Sequence, residues 1–157
     1  MILLFQVIIG LILAVVLYNL IHYFFVTRPT QKRLKISQAI VDQAIKYALQ
    51  KIMPDESSEQ LKSQAIANVW GRGVMAFEYE FPQNIMQLSI SEFKQLLIKE
   101  LHEYSADHHF DASSTPEIQS IFRVTDIWEL DGKLHFDVAF LINQTTIEYV
   151  EDLNRLK

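Results

Sequence analysis

Imidazoles and carboxylates crowd one short stretch of the chain, at His102, Glu103, Asp107, His108, His109 and Asp111. Imidazole nitrogen and carboxylate oxygen are the donors that zinc and manganese take, so His102, Asp107, His108, His109 and Asp111 are the candidate metal ligands and metal-assisted hydrolysis is their candidate chemistry. Their spacing argues the other way. His102-Glu103 lacks the later histidine of a helical zinc-protease pattern. A helix end that favours histidine, followed by a solvated loop, accounts for the same residues. The expectation is therefore no resident metal and no cofactor.

Asp107-His108-His109 resembles the three letters that name the DHH phosphoesterases, but the upstream aspartate motifs of those enzymes have no counterpart in residues 1–106. Glu78 and Glu80 stand two apart, which on a strand puts them on one face. They read as the wet side of a sheet before they read as an acid/base pair. Gly71-Arg72-Gly73 is too short to cradle a phosphate, and no Gly-x-Ser-x-Gly elbow positions a nucleophile. The absence of cysteine removes thiolate metal sites, disulfides and cysteine nucleophiles together. Trp70 and Trp128 suit a core or a pocket wall better than a stacking platform for bases. If a sheet is concave, Phe77, Tyr79, Trp128 and Phe136 are the candidate lining of a small-ligand pocket.

What must position these residues begins with a membrane segment. Residues 1–27 carry no charged side chain, and the apolar run 2–26 exceeds the roughly 20 residues that a bilayer crossing needs. No basic leader and no small-residue cleavage site mark it as a signal peptide, so it is expected to be retained as an anchor. Gln6, Gly10 and Ala14 recur every fourth residue and form a small-residue stripe against which another helix can pack. Asn19 and His22 lie near the interface, and Tyr18, Tyr23, Phe24 and Phe25 make an aromatic belt.

Charge is unevenly placed along the 157 residues, which carry a net −5. Residues 28–51 hold six basic side chains against Asp42 alone, whereas 52–157 hold eight basic and eighteen acidic ones. Arg28, Lys32, Arg33 and Lys35 form a collar suited to lipid headgroups, and their side of the membrane is expected to be the cytoplasmic one, with the N-terminus outside. An acidic body of this kind excludes nucleic acid as its main partner.

The expected domains are an anchor over 1–27, a collar over 28–35 and one soluble α+β domain over 36–157. Helical spacing of Ile36, Ala39, Ile40, Ala44, Tyr47, Ala48 and Ile52 predicts a helix over 35–53, closed by Pro54. Ser57 with Gln60 predicts a second helix that turns Leu61, Ala65, Ile66, Val69 and Trp70 inward. Alternation over 74–81 predicts a strand. The Ser89/Glu92 capping box predicts a third helix with Phe93, Leu96, Leu97, Leu101 and Tyr104 inside. Asp131-Gly132 joins two strands, 118–130 and 133–143, whose core face is Phe122, Val124, Trp128, Phe136, Val138 and Phe140. Thr146, Ile147, Tyr149 and Val150 favour a final strand, although Thr145 with Glu148 also fits a cap. The sum is a small antiparallel sheet of three or four strands with about three helices packed on one face.

No constellation in the chain specifies catalysis. The functional expectation is a membrane-anchored, non-enzymatic interaction or accessory domain of a membrane complex, partnered by the bilayer and by another membrane protein or a second copy. The alternatives are a pocket-bearing ligand-binding or hydrolytic domain and a metal-dependent phosphoesterase built on His102 to Asp111.

Overall fold

The computed structural model describes residues 2–54, 61–66, 73–82, 88–110 and 120–156. The chain divides into two compact units, Met1–Lys35 and Ile36–Lys157.

The first unit holds α1 (Ile2–His22), a π-helical turn (Tyr23–Thr27) and the start of α2 (Arg28–Ile52). Every large apolar side chain over 4–26 is exposed, and the helix is long and apolar enough to cross a membrane. The π turn has a local cause. Proline has no N–H, and its ring crowds the carbonyl four residues earlier. Just before Pro29 the ladder widens, and the Arg28 N–H donates to Tyr23 O, five residues back.

The second unit is α+β. After the remainder of α2 come β1 (Lys62–Ala65), β2 (Ala76–Pro82), α3 (Ile90–Asp107), β3 (Phe122–Leu130), β4 (Lys133–Phe140) and α4 (Gln144–Leu156). The strands form one antiparallel sheet in the order β1-β2-β4-β3. Val41, Ala44, Ile45, Ala48 and Leu49 repeat at three and four residues, so α2 presents one buried stripe. On α3 the stripe is Phe93, Leu97, Leu101 and Tyr104. These stripes meet the sheet face made by Phe77, Tyr79, Phe81, Leu134, Phe136, Val138 and Phe140, all buried. Phe93 and Phe136 meet edge to face at 5.8 Å between centroids, and the Tyr79 hydroxyl donates to Asp42 at 2.8 Å.

α3 starts where the capping box places it. The Ser89 hydroxyl accepts from the Glu92 N–H at 3.3 Å, and Glu92 accepts from the Ser89 N–H at 3.0 Å. Asp131 and Gly132 have φ of 51° and 71°, the paired positive values of a tight hairpin turn.

Three expectations are corrected. Residues 62–65 form strand β1, not part of a helix. A strand there pairs with the open edge of β2, and the Gln38 amide bonds the Ser63 hydroxyl at 2.9 Å and the Ser63 carbonyl at 3.3 Å. Leu61 and Ile66 flank the strand, and Ser57, Gln60, Val69 and Trp70 lie outside the described residues. Residues 144–156 form helix α4, not a strand. Its N-cap is Asn143, whose side-chain oxygen accepts from the Thr146 N–H at 2.8 Å, rather than Thr145. Tyr149, Val150 and Leu153 then share one face, and their packing on Val74, Ala76, Ala139 and Leu141 overrides local β preference. Because Ala76 and Ala139 point away from α2 and α3, the helices occupy both faces of the sheet.

The third correction concerns Trp128. The register shifts between Val124 and Asp126, a β-bulge that inserts one residue and inverts the facing of the remainder of β3. Ile127 therefore lies opposite Phe136 on the core face, and Trp128 lies opposite His135 on the other.

Candidate functional site

The face of the sheet turned away from α2 and α3 carries a polar arrangement that spans three strands. Beyond the part covered by α4, it presents Gln64, Glu78, Glu80, Trp128, Lys133 and His135. Antiparallel pairing puts Glu78 between β1 and β4, so two neighbours reach it. The Gln64 amide donates to one carboxylate oxygen at 2.8 Å, and His135 Nδ1 meets the other at 2.9 Å. A carboxylate accepts, so this nitrogen carries the proton. The imidazole stacks on Trp128 at 5.4 Å and 17°. Glu80 pairs with Lys133 across the strands. A groove of about 230 Å³ is lined by Ser63, Gln64, Glu78 and Glu80. On the same face, burial first, then the Asp137 and Asp126 carboxylates, push the Tyr149 hydroxyl up to about 12.

Chemically, a carboxylate-held imidazole can exchange a proton. Here Glu78 is held from both sides by Gln64 and His135, and Glu80 by Lys133, which is how a solvated cross-strand network stabilises a sheet. Glu78 and Glu80 thus share a face, as their spacing requires, and each has its own partner.

Phe77, Tyr79 and Phe136 come together, with Tyr79 and Phe136 stacked at 5.3 Å. All three have 0 % exposure beneath the helices, and Trp128 is on the opposite face. The four do not line one surface. Burial and the neighbouring Asp42 hold the Tyr79 hydroxyl far above its ordinary range, so it serves as a hydrogen-bond donor in the core.

The histidine cluster is a helix stop. His109 has φ 52°, in the left-handed region. Its N–H donates to Ala106 O at 3.2 Å, and the Phe110 N–H donates to Ser105 O at 3.0 Å. These are the paired bonds of a Schellman motif, with His109 in the position glycine usually takes. The apolar contact that accompanies the motif is Tyr104 with Phe110, 6.2 Å between centroids. His108 lies flat on Tyr104 at 3.9 Å and bonds its carbonyl through Nδ1 at 3.0 Å. His102 and Asp107 are exposed on α3, and Asp111 lies outside the described residues. Among the described residues, no three histidines or carboxylates converge as metal ligands.

A second ionic cluster joins α2 to α3. Lys51 lies 3.2 Å from both Glu100 and Glu103, Lys99 lies 3.3 Å and 3.4 Å from the same pair, and Lys51 sits 4.6 Å over the Tyr47 ring. Tyr47 and Glu103 raise the Lys51 ammonium above its ordinary range, while Lys51 and Lys99 lower Glu103. Only Glu100 is buried, so the cluster's value lies in covering that one charge.

In the first unit Gln6, Gly10 and Ala14 are exposed, and a Cβ added to Gly10 would meet nothing within 4 Å. Arg28, Lys32, Arg33 and Lys35 are all exposed. Sequence reasoning missed the Gln64–Glu78–His135–Trp128 arrangement. The signal was present in the two-residue turn at Asp131-Gly132, which fixes Trp128 opposite His135 by counting outward.

Compared with known protein families, curated proteins and solved structures, the chain has no match.

Proposed function

We propose that the chain is a single-pass membrane protein, with an anchor over 1–27, a basic collar over 28–35 and a domain over 36–157. The domain serves as a non-enzymatic interaction or accessory module of a membrane complex. The observation that carries the reading is a helix whose apolar side chains have no protein cover, followed directly by exposed cations. Such a helix needs hydrocarbon around it. The cations favour a cytoplasmic domain and an external N-terminus.

Support for a non-enzymatic role comes from how the reactive groups of the domain are engaged. Tyr79 serves Asp42, Glu78 and His135 serve each other, and His108 and His109 finish a helix. The open stripe of Gln6, Gly10 and Ala14 offers a close approach for a partner helix or a second copy.

The test is extraction of the full-length chain from its native membrane in mild detergent, followed by sizing and mass spectrometry. A stoichiometric companion that is lost in Gly10→Leu supports the reading. A monomer that emerges alone from several mild detergents overturns it.

A further inference from the structure

We propose that the start of α2 is a seat for the phosphate of anionic phospholipids, clamped by Arg28. The inference rests on the reading that α1 crosses a bilayer. At 1.5 Å per residue, α1 is about 31 Å long, close to the thickness of the hydrocarbon core. Tyr23 and Phe24 then fall at the interface and Arg28 among the headgroup phosphates.

Arg28 is held there. Its guanidinium lies 5.9 Å from the Tyr23 ring centre and 5.2 Å from that of Phe24, the two rings meeting edge to face at 81°. The wide turn brings these rings under Arg28, whose own N–H closes the five-residue bond to Tyr23. A guanidinium held over aromatic rings keeps N–H groups free for a phosphate, and it loses less conformational freedom on binding than a lysine does.

The other cations complete a face. Lys32 and Lys35 come four and seven residues after Arg28, so the three line one side of the helix, while Arg33 points elsewhere. Met1–Lys35 contains no aspartate or glutamate. In the domain Lys51, Lys99, Lys133 and Arg155 meet carboxylates of their own unit. The counter-charge for Arg28, Lys32 and Lys35 must come from outside their unit. Phosphate is the chemistry that fits a fork flanked by two ammonium groups, and its source is a lipid headgroup or free phosphate.

The test uses the full-length chain reconstituted in phosphatidylcholine bilayers. Spin-labelled phosphatidylglycerol or phosphatidylcholine is added in trace, and the motionally restricted fraction is measured. The expected result is a preference for phosphatidylglycerol that Arg28→Gln reduces by up to about fivefold, the worth of one basic residue at such a surface. Arg28→Lys falls between, because charge remains without the fork, and Arg33→Gln has less effect than Arg28→Gln. Equal retention of the two lipids overturns the proposal, as does an Arg33→Gln loss equal to that of Arg28→Gln. Loss of the preference in inorganic phosphate but not in chloride of matched ionic strength also overturns it, since the occupant is then free phosphate. A protein washed from the bilayer by alkaline carbonate fails the anchor reading itself. A protein that stays without lipid preference fails only the clamp.

Discussion

Replacing His109 with glycine is expected to stabilise the domain. At φ 52° an L-residue carries its Cβ close to the neighbouring carbonyl, at a cost of about 1–2 kcal/mol, and histidine lies at the lower end because it tolerates this region. Glycine removes that strain and adds back about 0.5–1 kcal/mol of unfolded-state entropy. The net gain is up to about 0.5 kcal/mol. The bonds from the 109 and 110 amides to Ala106 and Ser105 are backbone bonds and survive the change. For a domain of this size the gain raises the melting midpoint by up to about 2 °C, readable by circular dichroism of the full-length chain in mild detergent. His109→Ala reverses the sign, because alanine tolerates the left-handed region less well than histidine does. A lower midpoint for His109→Gly, or equal midpoints for the glycine and alanine variants, refutes the helix-stop assignment. If metal copurifies and is lost in His109→Gly, the imidazole is a ligand instead.

Thr146 is fully buried, and its hydroxyl accepts from the Met75 N–H at 2.9 Å while donating to Asn143 at 2.8 Å. Thr146→Val keeps the shape and orphans that amide, costing about 1–3 kcal/mol in urea denaturation. Thr146→Ser keeps the hydroxyl and costs only the lost methyl, about 1 kcal/mol. Tyr79 and Tyr149 both have hydroxyls raised above the ordinary value of 10. Above that pH the unfolded chain loses protons that the folded chain keeps, so stability, constant below about pH 10, falls as pH rises further. Tyr79→Phe lowers stability at neutral pH and flattens the alkaline decline; an unchanged slope counts against the assignment. Ser89→Ala removes the capping box and costs about 1 kcal/mol, with helicity lost from α3 in hydrogen exchange at its first turn.

Legibility tracks the range of the interaction that decides each element. The long apolar N-terminal helix, the Ser89/Glu92 box, the α3 stripe and the Asp131-Gly132 turn are each settled locally, and each can be read directly, whereas the α2 stripe is turned from the expected one, burying Val41, Ile45 and Leu49 with Ala44 and Ala48 and leaving Ile36 and Ala39 exposed. β1 cannot, because its backbone is satisfied by β2 and by the Gln38 amide, far away in sequence. α4 escapes for a related reason. Its run of Thr, Ile, Tyr and Val is strand-like alone, and what makes it a helix is the Asn143 cap, itself tied to Gly73 O at 2.9 Å, together with the small floor of Ala76 and Ala139.

Trp128 is the most instructive case, since the sequence contains the contradiction that resolves it. Counting out from the two-residue turn pairs Ile127 with Phe136 and Trp128 with His135. Strict alternation from Ile127 would then turn Val124 and Phe122 away from the core, which no sheet backed by α3 tolerates. An inserted residue near Thr125 is the one arrangement that keeps Phe122, Val124, Ile127 and Phe136 together on the buried side. The same bulge delivers Trp128 to the far face, where it covers the imidazole that Glu78 holds. A residue suited by type to a pocket wall is thus displaced by one register step into the polar network. That displacement explains why the expected pocket does not assemble and why the Glu78–His135–Trp128 arrangement escapes a search for motifs.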